Sequence, residues 1–380
     1  MRRLCFCAMA IVLLGSWNKA QQSDDEINLL IINSEQITLP EISFNYEVQN
    51  IPNYLLNARL NRADNTPAHN PIDNEGATLG RVLFYDKILS LNKTISCSSC
   101  HSPSSGFSDP KTFSLGFEGE ETARHSMALA NARFYAKARF FWDERASSLE
   151  EQALEPIQDH IEMGLNLDSL ISRMNKTDYY PPLFSNAFGN NEITESKIAL
   201  SLAQFIRSLI SFNSKYDIAR SRVANSSVNF PNFTDSENRG KSLFFSDRWA
   251  CGLCHGTDAF IAPGPRNNGL EAISTDLGLG GNSGNPSNNG EFKVGSLKNI
   301  GISAPYMHEG RFTNLLDVVN HYNDGVQNHP NLSPPLRLAN GQIRRLNLTN
   351  TEKNDLIAFL HTLTDDVMIN DEKFSDPFSE

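Results

Sequence analysis

The stretches CSSCH (97–101) and CGLCH (251–255) are the most informative part of this 380-residue sequence. Each has the pattern Cys-x-x-Cys-His, which is the attachment signature of a c-type haem. Two thiols on one helical turn can bond to the two vinyl groups of one porphyrin, and the neighbouring histidine then supplies a nitrogen to the iron. We therefore predict two covalently bound haems. The predicted iron ligands are His101 and His255, and the predicted attachment residues are Cys97, Cys100, Cys251 and Cys254.

Zinc binding and thiol–disulfide exchange are the two alternatives for a Cys-x-x-Cys pair. A structural zinc site needs four Cys or His ligands in tightly spaced pairs, whereas the two pairs here are far apart in the sequence. A thioredoxin-like pair has no need of the histidine that follows. The pattern therefore favours haem attachment.

Residues 1–20, MRRLCFCAMAIVLLGSWNKA, have the layout of a secretory signal peptide. Two arginines precede an apolar run at 4–14, and the small residue Ala20 ends the segment. The run is shorter than the ~20 residues that span a bilayer, so we expect cleavage and no stable membrane insertion, with an uncleaved anchor as the alternative. Cleavage would remove both cysteines outside the haem motifs, Cys5 and Cys7. We therefore predict a periplasmic protein, because c-type haem is attached outside the bacterial cytoplasm.

The charge of the chain bears on its partners. The formal net charge is −11, and removal of the N-terminal segment with its basic residues would make the mature chain more acidic still. Such a surface argues against nucleic acid and anionic lipid as partners. It favours a basic protein partner, such as a small electron carrier, although charge also serves simply to keep a secreted protein soluble.

Each haem motif follows a helix-like segment, and the two segments are alike. LGRVLF (79–84) precedes the first motif and RGKSLF (239–244) precedes the second. Gly80 and Gly240 stand at matching positions, where a glycine lets two helices approach closely. The repeat predicts an internal duplication of a cytochrome c-like unit.

The predicted fold is mostly α, with two cytochrome c-like domains, long loops and minor β structure. Helices are predicted at 75–86, 195–212 and 235–245 and after a capping box formed by Thr349 and Glu352. A Gly-, Asn- and Ser-rich stretch predicts a long loop at 263–290. The predicted organisation is a signal peptide at 1–20, an N-terminal domain at 21–215, a linker at 216–234 and a C-terminal domain at 235–380.

Three longer stretches carry a more specific signal. They are LGRVLFYDKILS (79–90), FWDERASSLEEQA (141–153) and SLKNIGISAPYMHEGRF (296–312). These stretches resemble the bacterial di-haem cytochrome c peroxidase and MauG family, over roughly residues 70 to 365. The resemblance implies an enzyme whose N-terminal haem reacts with hydrogen peroxide and whose C-terminal haem receives electrons.

The resemblance also implies roles for three residues. Trp142 matches the tryptophan that lies between the two haems, where an indole shortens the electron-transfer gap. Gln152 and Glu162 match a polar pair over the open face of the peroxide-reactive haem. A carboxylate there can move a proton between the two peroxide oxygens, and an amide can hold the peroxide by hydrogen bonds. Without the resemblance, Trp142 reads as a core aromatic and Glu162 as a solvated glutamate.

The chain departs from the family at the first haem. Many members carry a histidine that caps the resting iron, and its aligned position in SLGFEG (114–119) is Phe117. Phenylalanine cannot bind iron, so we expect an open sixth position without reductive activation. His125 is a minor candidate for a cap.

The sixth ligand of the second haem is the next departure. The position that aligns with the family's methionine is Tyr322, and MauG has a tyrosine there. Tyr322 is therefore the first candidate, ahead of Met307 and His321. A phenolate favours ferric iron and lowers the potential, whereas a methionine raises it.

The resemblance leaves calcium a doubtful cofactor. The family binds it through an Asn side chain and backbone carbonyls, which correspond to Ser303 and Pro305. His125 replaces the Asn, and an imidazole is a poor ligand for this hard cation.

Three functions follow from these expectations. The first is a periplasmic peroxidase that reduces hydrogen peroxide to water with electrons from a small cytochrome c or cupredoxin. The second is a MauG-like oxidase that modifies a protein or organic substrate through a high-valent state shared by two haems. The third is a non-catalytic di-haem electron carrier, against which Glu162 and Gln152 argue. A homodimer is compatible with the resemblance.

Overall fold

The computed structural model describes residues 34, 36–48, 51–56, 58–246, 251–257 and 259–378, and these form a mostly helical protein, as predicted. Within these residues, β structure is limited to isolated bridges. The α-helices are α1 Ala58–Ala63, α2 Asn74–Tyr85, α3 Cys97–Cys100, α4 Leu149–Gln158, α5 Leu167–Met174, α6 Tyr180–Phe188, α7 Glu195–Ser208, α8 Lys215–Arg220, α9 Asp235–Phe245, α10 Cys251–His255, α11 Leu279–Ser283, α12 Leu315–Asn320, α13 Asn350–His361 and α14 Asp366–Ile369. A π-helical turn, His321–Gly325, continues α12. Short 3-10 turns lie at Asn53–Leu55, Lys87–Leu89, Pro103–Ser105, Ala132–Phe134, Pro286–Asn288, Pro334–Leu336 and Glu372–Phe374.

One helix pair recurs in both halves of the molecule. In the first half α2 packs against α7, and in the second half α9 packs against α13. A Cβ atom on Gly80 would lie 2.0 Å from the carbonyl oxygen of Ser201, and one on Gly240 would lie 1.9 Å from that of Asp355. Only glycine permits backbones this close. The matching glycines therefore allow the close helix approach that was predicted for them. The packing of the helix pairs is repeated in the two halves, as the sequence pattern is.

The helix boundaries follow local capping. Asp73 accepts a hydrogen bond from the Gly76 amide at the start of α2. Thr349 and Glu352 form the predicted capping box at the start of α13. The helix predicted at 195–212 ends earlier, at Ser208, where the backbone leaves the helical conformation. The stretch 263–290, predicted as a loop, contains the short helix α11 and a 3-10 turn.

Two apolar cores surround the two haem motifs. The first contains side chains from α2, α6 and α7, and the C-terminal residues Met368 and Phe374 return to pack in it. The second is rich in aromatic rings from α9 and α13, and Tyr216 and Phe230 from the predicted linker belong to it. The domain boundaries stay predictions, but the stretch 216–234 packs with the second half.

The predicted signal peptide at 1–20 lies outside the described residues. Across the part of the chain that the structure describes, no helix has both the length and the apolar character needed to cross a membrane.

Replacing Gly240 with alanine is expected to force α9 away from α13. Overpacking of this kind typically costs about 1–3 kcal/mol, so Gly240→Ala should lower the thermal unfolding midpoint of the haem-loaded protein. Gly281→Ala in α11 is the control, because the nearest atom to its new Cβ would be 3.5 Å away. Equal midpoints for the two variants would show that the contact between α9 and α13 can accommodate a Cβ atom at residue 240.

Candidate functional site

The first haem motif opens onto a large cavity. Cys97 and Cys100 lie one turn apart on α3, which begins with a capping box between Ser96 and Ser99. Both cysteines and the following His101 line a cavity of about 630 Å³. The Nδ1 atom of His101 lies 3.1 Å from the carbonyl oxygen of Phe107. A proton on Nδ1 donates there and leaves Nε2 as the free ligand nitrogen.

Burial shifts the pKa values of the histidine and the two cysteines of the first motif. It lowers the pKa of His101 to about 4, so the imidazole is neutral at pH 7. It also raises the pKa of Cys97 to about 12 and that of Cys100 to about 11, so both thiols stay protonated. Two thiols on one turn and a neutral imidazole facing one cavity are the donor set that a c-type haem needs. The residues present fit this group.

Glu162 and Gln152 line the same cavity as the haem motif. Gln152 lies on α4, and Glu162 follows that helix. Burial raises the pKa of Glu162 to about 7, and the nearby carboxylate of Asp159 adds to the effect. Glu162 can therefore give or accept a proton near neutral pH.

The neighbouring acids of α4 have structural partners. Glu150 forms a bidentate ion pair with the buried Arg207, at 2.6 and 3.0 Å. Glu151 is exposed and accepts hydrogen bonds from the backbone amide and hydroxyl of Ser147. Glu150 and Glu151 therefore have structural contacts near the start of α4, whereas Glu162 lines the cavity.

Phe117 was expected to align with the histidine that caps the iron, but other residues of the stretch SLGFEG line the cavity. Leu115 and Gly116 line it. The ring of Phe117 instead packs against Gly164, whose added Cβ would lie 2.5 Å from a ring carbon. The Phe117 amide donates to the Glu162 carbonyl at 3.0 Å. Phe117 therefore fixes the backbone that carries Glu162, and the apolar side chain that this stretch supplies to the cavity is Leu115.

His125 is held by hydrogen bonds at both ring nitrogens. Nε2 lies 3.1 Å from the Ser108 hydroxyl, and Nδ1 lies 3.1 Å from the Lys111 carbonyl oxygen. Burial lowers the pKa of His125. With both nitrogens engaged, the imidazole is not free to cap an iron.

Trp142 lies in the wall that the first cavity shares with the second. Its indole Nε1–H donates to the carbonyl oxygen of His125 at 2.7 Å, which fixes the ring plane. The Trp142 carbonyl accepts from the Lys293 amide at 2.8 Å. The structure therefore puts an oriented indole between the cavities.

The second haem motif lines a smaller cavity of about 260 Å³. Cys251, Cys254 and His255 lie on α10 and all face it. Burial lowers the pKa of His255 to about 4 and raises that of Cys251 to about 12. The donor set matches that of the first cavity and fits a second haem.

Tyr322 and Met307 both line the second cavity. The Asn268 side chain lies beside the Tyr322 phenol, and its amide nitrogen lies 3.3 Å from the Met307 sulfur, so the two candidates are close together. Tyr322 belongs to the π-helical turn, a form of helix that is frequent at functional sites. Burial raises the pKa of Tyr322 to about 12. The Nε2 of His321 instead lies 3.0 Å from the Asn268 carbonyl oxygen, which leaves His321 engaged outside the cavity.

Sequence reasoning missed Lys293. This lysine is buried in the wall shared by the two cavities, and its ammonium lies 4.3 Å from the Phe140 ring centre. Burial lowers the pKa of Lys293 to about 7. A lysine in a polar stretch is ordinarily solvent-exposed, so the sequence did not indicate that Lys293 is buried beside the cavities.

The chain is similar to a family of known proteins. The family model of the di-haem cytochrome c peroxidases matches residues 74–224. The methylamine utilization protein MauG of Methylophilus methylotrophus is 34% identical over 314 residues, which cover 80% of this chain and 88% of that protein. The cytochrome c551 peroxidase of Nitrosomonas europaea is 28% identical over 300 residues, covering 78% of this chain and 82% of that protein. A crystal structure of a MauG-like protein associated with microbial copper homeostasis superimposes with a TM-score of 0.73 at 30% identity, over 88% of this chain and 99% of that one.

The raised pKa of Glu162 has a consequence for stability. The folded protein keeps a proton on Glu162 that the unfolded chain has lost above its ordinary pKa of 4.5. The free energy of unfolding should therefore fall as the pH rises from about 4.5 to about 7, and Glu162→Gln should weaken this decline. Thermal midpoints across this pH range measure it.

Glu151→Gln is the matched control, because the hydrogen bonds from Ser147 lower the pKa of this exposed glutamate instead. The decline should persist in that variant. A wild-type slope unchanged by Glu162→Gln would contradict the assignment.

Proposed function

Because this chain belongs to the di-haem cytochrome c peroxidase family, we propose that it is a periplasmic peroxidase that reduces hydrogen peroxide to water. The electrons would come from a small redox protein. The observation that carries the proposal is the meeting of Glu162, Gln152 and the first haem motif in one cavity. A simple electron carrier has no use for a proton-transfer group there.

The proposal assigns the residues that hold the two haems. Cys97 and Cys100 would form thioether bonds to the first, and His101 would ligate its iron. The corresponding residues of the second are Cys251, Cys254 and His255. The neutral imidazoles and the paired thiols in each cavity support this assignment.

A haem bound in the first cavity would supply the redox centre for peroxide reduction. Glu162 accepts a proton from one peroxide oxygen and delivers it to the other, so that water can leave. Its pKa of about 7 suits both steps. Gln152 holds the peroxide by hydrogen bonds from its amide. The surrounding apolar wall, including Leu115, limits competing water.

Electrons are proposed to enter at the second cavity and to pass Trp142. The position of the indole in the shared wall supports this route, and its hydrogen bond to His125 keeps the ring in one orientation. A small cytochrome c or cupredoxin with a basic surface would suit the net charge of −11. Reduction of one peroxide to two waters consumes two electrons and two protons.

Tyr322 is the proposed sixth ligand of the second haem, with Met307 as the alternative. Both line the second cavity, and the Asn268 side chain lies next to both. A phenol whose pKa is raised by burial keeps its proton unless a cation stabilises the phenolate, and ferric iron is such a cation. His321 is not proposed, because its Nε2 is bonded to a backbone carbonyl.

Calcium is not part of the proposed holoprotein. Ser303 and Pro305, the expected carbonyl donors, face the second cavity, and His125 supplies an imidazole where the family has an amide oxygen. Its ring nitrogens are engaged by Ser108 and Lys111. This donor set does not suit a hard cation.

A MauG-like oxidase is the second candidate function. The presence of Tyr322 in the second cavity and the 34% identity to a MauG protein favour it. Such an enzyme would keep its oxidising equivalents long enough to modify a protein or organic substrate. Steady peroxide turnover with reduced cytochrome c supports the peroxidase, whereas oxidising equivalents that persist in the presence of that donor support the oxidase.

Peroxide should react with the fully oxidised, haem-loaded protein without prior reduction. The reason is that the stretch 114–119 supplies Leu115 to the first cavity and no histidine. Stopped-flow absorption of the haem bands measures the reaction. Glu162→Gln should slow it by roughly 10²–10⁴-fold, the contribution typical of a general acid–base group.

Glu151→Gln serves as the control, since that exposed side chain bonds only locally to Ser147. Haem content, measured for every variant, separates loss of chemistry from loss of cofactor. A wild-type protein that stays unchanged by peroxide until it is reduced would refute the open site.

Tyr322→Phe should convert the second haem from a low-spin to a high-spin state, because the variant loses the proposed oxygen ligand. Low-temperature electron paramagnetic resonance of the oxidised protein distinguishes the two. Met307→Leu is the matched variant and should leave the resting spectrum of the second haem in place. The opposite pattern would assign the ligand to Met307.

A further inference from the structure

Tyr135 forms a buried pair with Glu144 beside the first cavity. The phenol ring is fully buried in the protein and lines that cavity. Its hydroxyl donates a hydrogen bond to one carboxylate oxygen of Glu144. The Glu144 side chain has no exposed surface. A carboxylate buried this completely needs strong partners.

Glu144 is held in this position against its backbone preference. Its φ angle is +56°, in the left-handed region that non-glycine residues seldom adopt. Such conformations persist only where the surroundings enforce them, and they cluster at functional sites. The residue lies two positions after Trp142 and directs its carboxylate to Tyr135.

The second oxygen of Glu144 leads to solvent. It accepts a hydrogen bond from the ammonium of Lys137 at 2.5 Å, and the Lys137 side chain is 40% exposed. The three groups therefore form a hydrogen-bonded chain from the cavity wall to the surface. A proton that reaches Glu144 can be exchanged with water through this chain.

The phenol cannot lose an electron easily unless it loses its proton as well. Burial and the hydrogen bond to Glu144 raise the pKa of Tyr135, so no phenolate is available at neutral pH. Loss of an electron makes the phenol a strong acid. A carboxylate already bonded to the hydroxyl takes the proton without any rearrangement.

We propose that Tyr135 is a redox site that gives an electron to the peroxide-oxidised first centre while Glu144 takes the phenolic proton. This rests on the proposed function, because peroxide is the oxidant. The O–H bond of Tyr135 breaks, one electron moves into the first cavity and the proton moves to the Glu144 carboxylate. The product is a neutral tyrosyl radical. A donor electron and the returning proton restore the phenol.

The charge of Lys293 opposes the oxidation of Tyr135. Its ammonium lies 4.4 Å from the centre of the Tyr135 ring, where a positive charge makes the ring harder to oxidise. Because burial lowers the pKa of Lys293 to about 7, a substantial fraction of the side chain is uncharged at neutral pH. Lys293 therefore hinders the oxidation of Tyr135 less in its uncharged form than in its charged form.

The test mixes oxidised holoprotein with hydrogen peroxide in the absence of any electron donor. Samples frozen at increasing times are examined by electron paramagnetic resonance, with ring-deuterated tyrosine used to distinguish a tyrosyl from a tryptophanyl signal. Haem absorption is recorded on the same samples. The variants are Tyr135→Phe, Glu144→Gln and Tyr179→Phe.

Tyr179→Phe is the matched control. Tyr179 is also buried and also donates to a buried carboxylate, that of Asp86 at 2.8 Å, but it is outside the lining of both cavities. Glu144→Gln keeps the side-chain length and one acceptor oxygen for the Tyr135 hydroxyl, but it loses the acceptor for the Lys137 ammonium, so its haem content and thermal midpoint are measured as well. The amide cannot take the proton, and the tyrosyl signal should fall roughly tenfold or more.

The expected result is a tyrosyl signal in the wild type that vanishes in Tyr135→Phe and persists in Tyr179→Phe. A haem response to peroxide with no tyrosyl signal, or with one that survives Tyr135→Phe, overturns the proposal and leaves the peroxidase intact. The absence of any haem response to peroxide in the wild type defeats the peroxidase first, and the tyrosine step with it.

Discussion

The contact of two helix backbones at a glycine, repeated in each half of the molecule, is the constraint on which the rest of the structure depends. At Gly80 and at Gly240 the facing carbonyl leaves no room for a Cβ. The close pairing brings the helix that precedes each Cys-x-x-Cys-His motif onto a helix that closes the same core. Each cavity therefore opens beside a rigid helix pair, which fixes the direction in which its cysteines and histidine point.

Differences in burial and in neighbouring charges then give side chains of the same type different pKa values. In both cavities burial keeps the motif histidine neutral, as an iron ligand must be. It raises the pKa of Glu162 to about 7 and lowers that of Lys293 to about 7, so an acid and a base that line the same cavity both titrate around neutrality. By contrast Glu150, which is closer in sequence to Gln152 than Glu162 is, forms an ion pair with Arg207 that lowers its pKa. The environment of each group, and not its residue type, distinguishes chemistry from scaffolding.

The fold and the haem motifs could be predicted because they depend on local spacing. The glycine repeat, the capping box at Thr349 and the paired cysteines are all short-range patterns. The direction of the Phe117 ring was not predictable, because it depends on Gly164, which is distant in the sequence and packs against the ring. Lys293 and the Tyr135–Glu144 pair were missed for the same reason. Their significance comes from residues distant in sequence that share one buried wall, and a linear pattern carries no such information.

The wall between the cavities also has a thermodynamic consequence. Trp142, Lys293 and the residues up to Ser296 contact both cavities, so any event on one side that shifts this wall changes the free energy of binding on the other. Such coupling is reciprocal: whatever the first site does to the second, the second does to the first by the same amount. Ligand binding or protonation in one cavity that displaces this shared wall would therefore alter the affinity of the other cavity, through Trp142 and its neighbours in the wall.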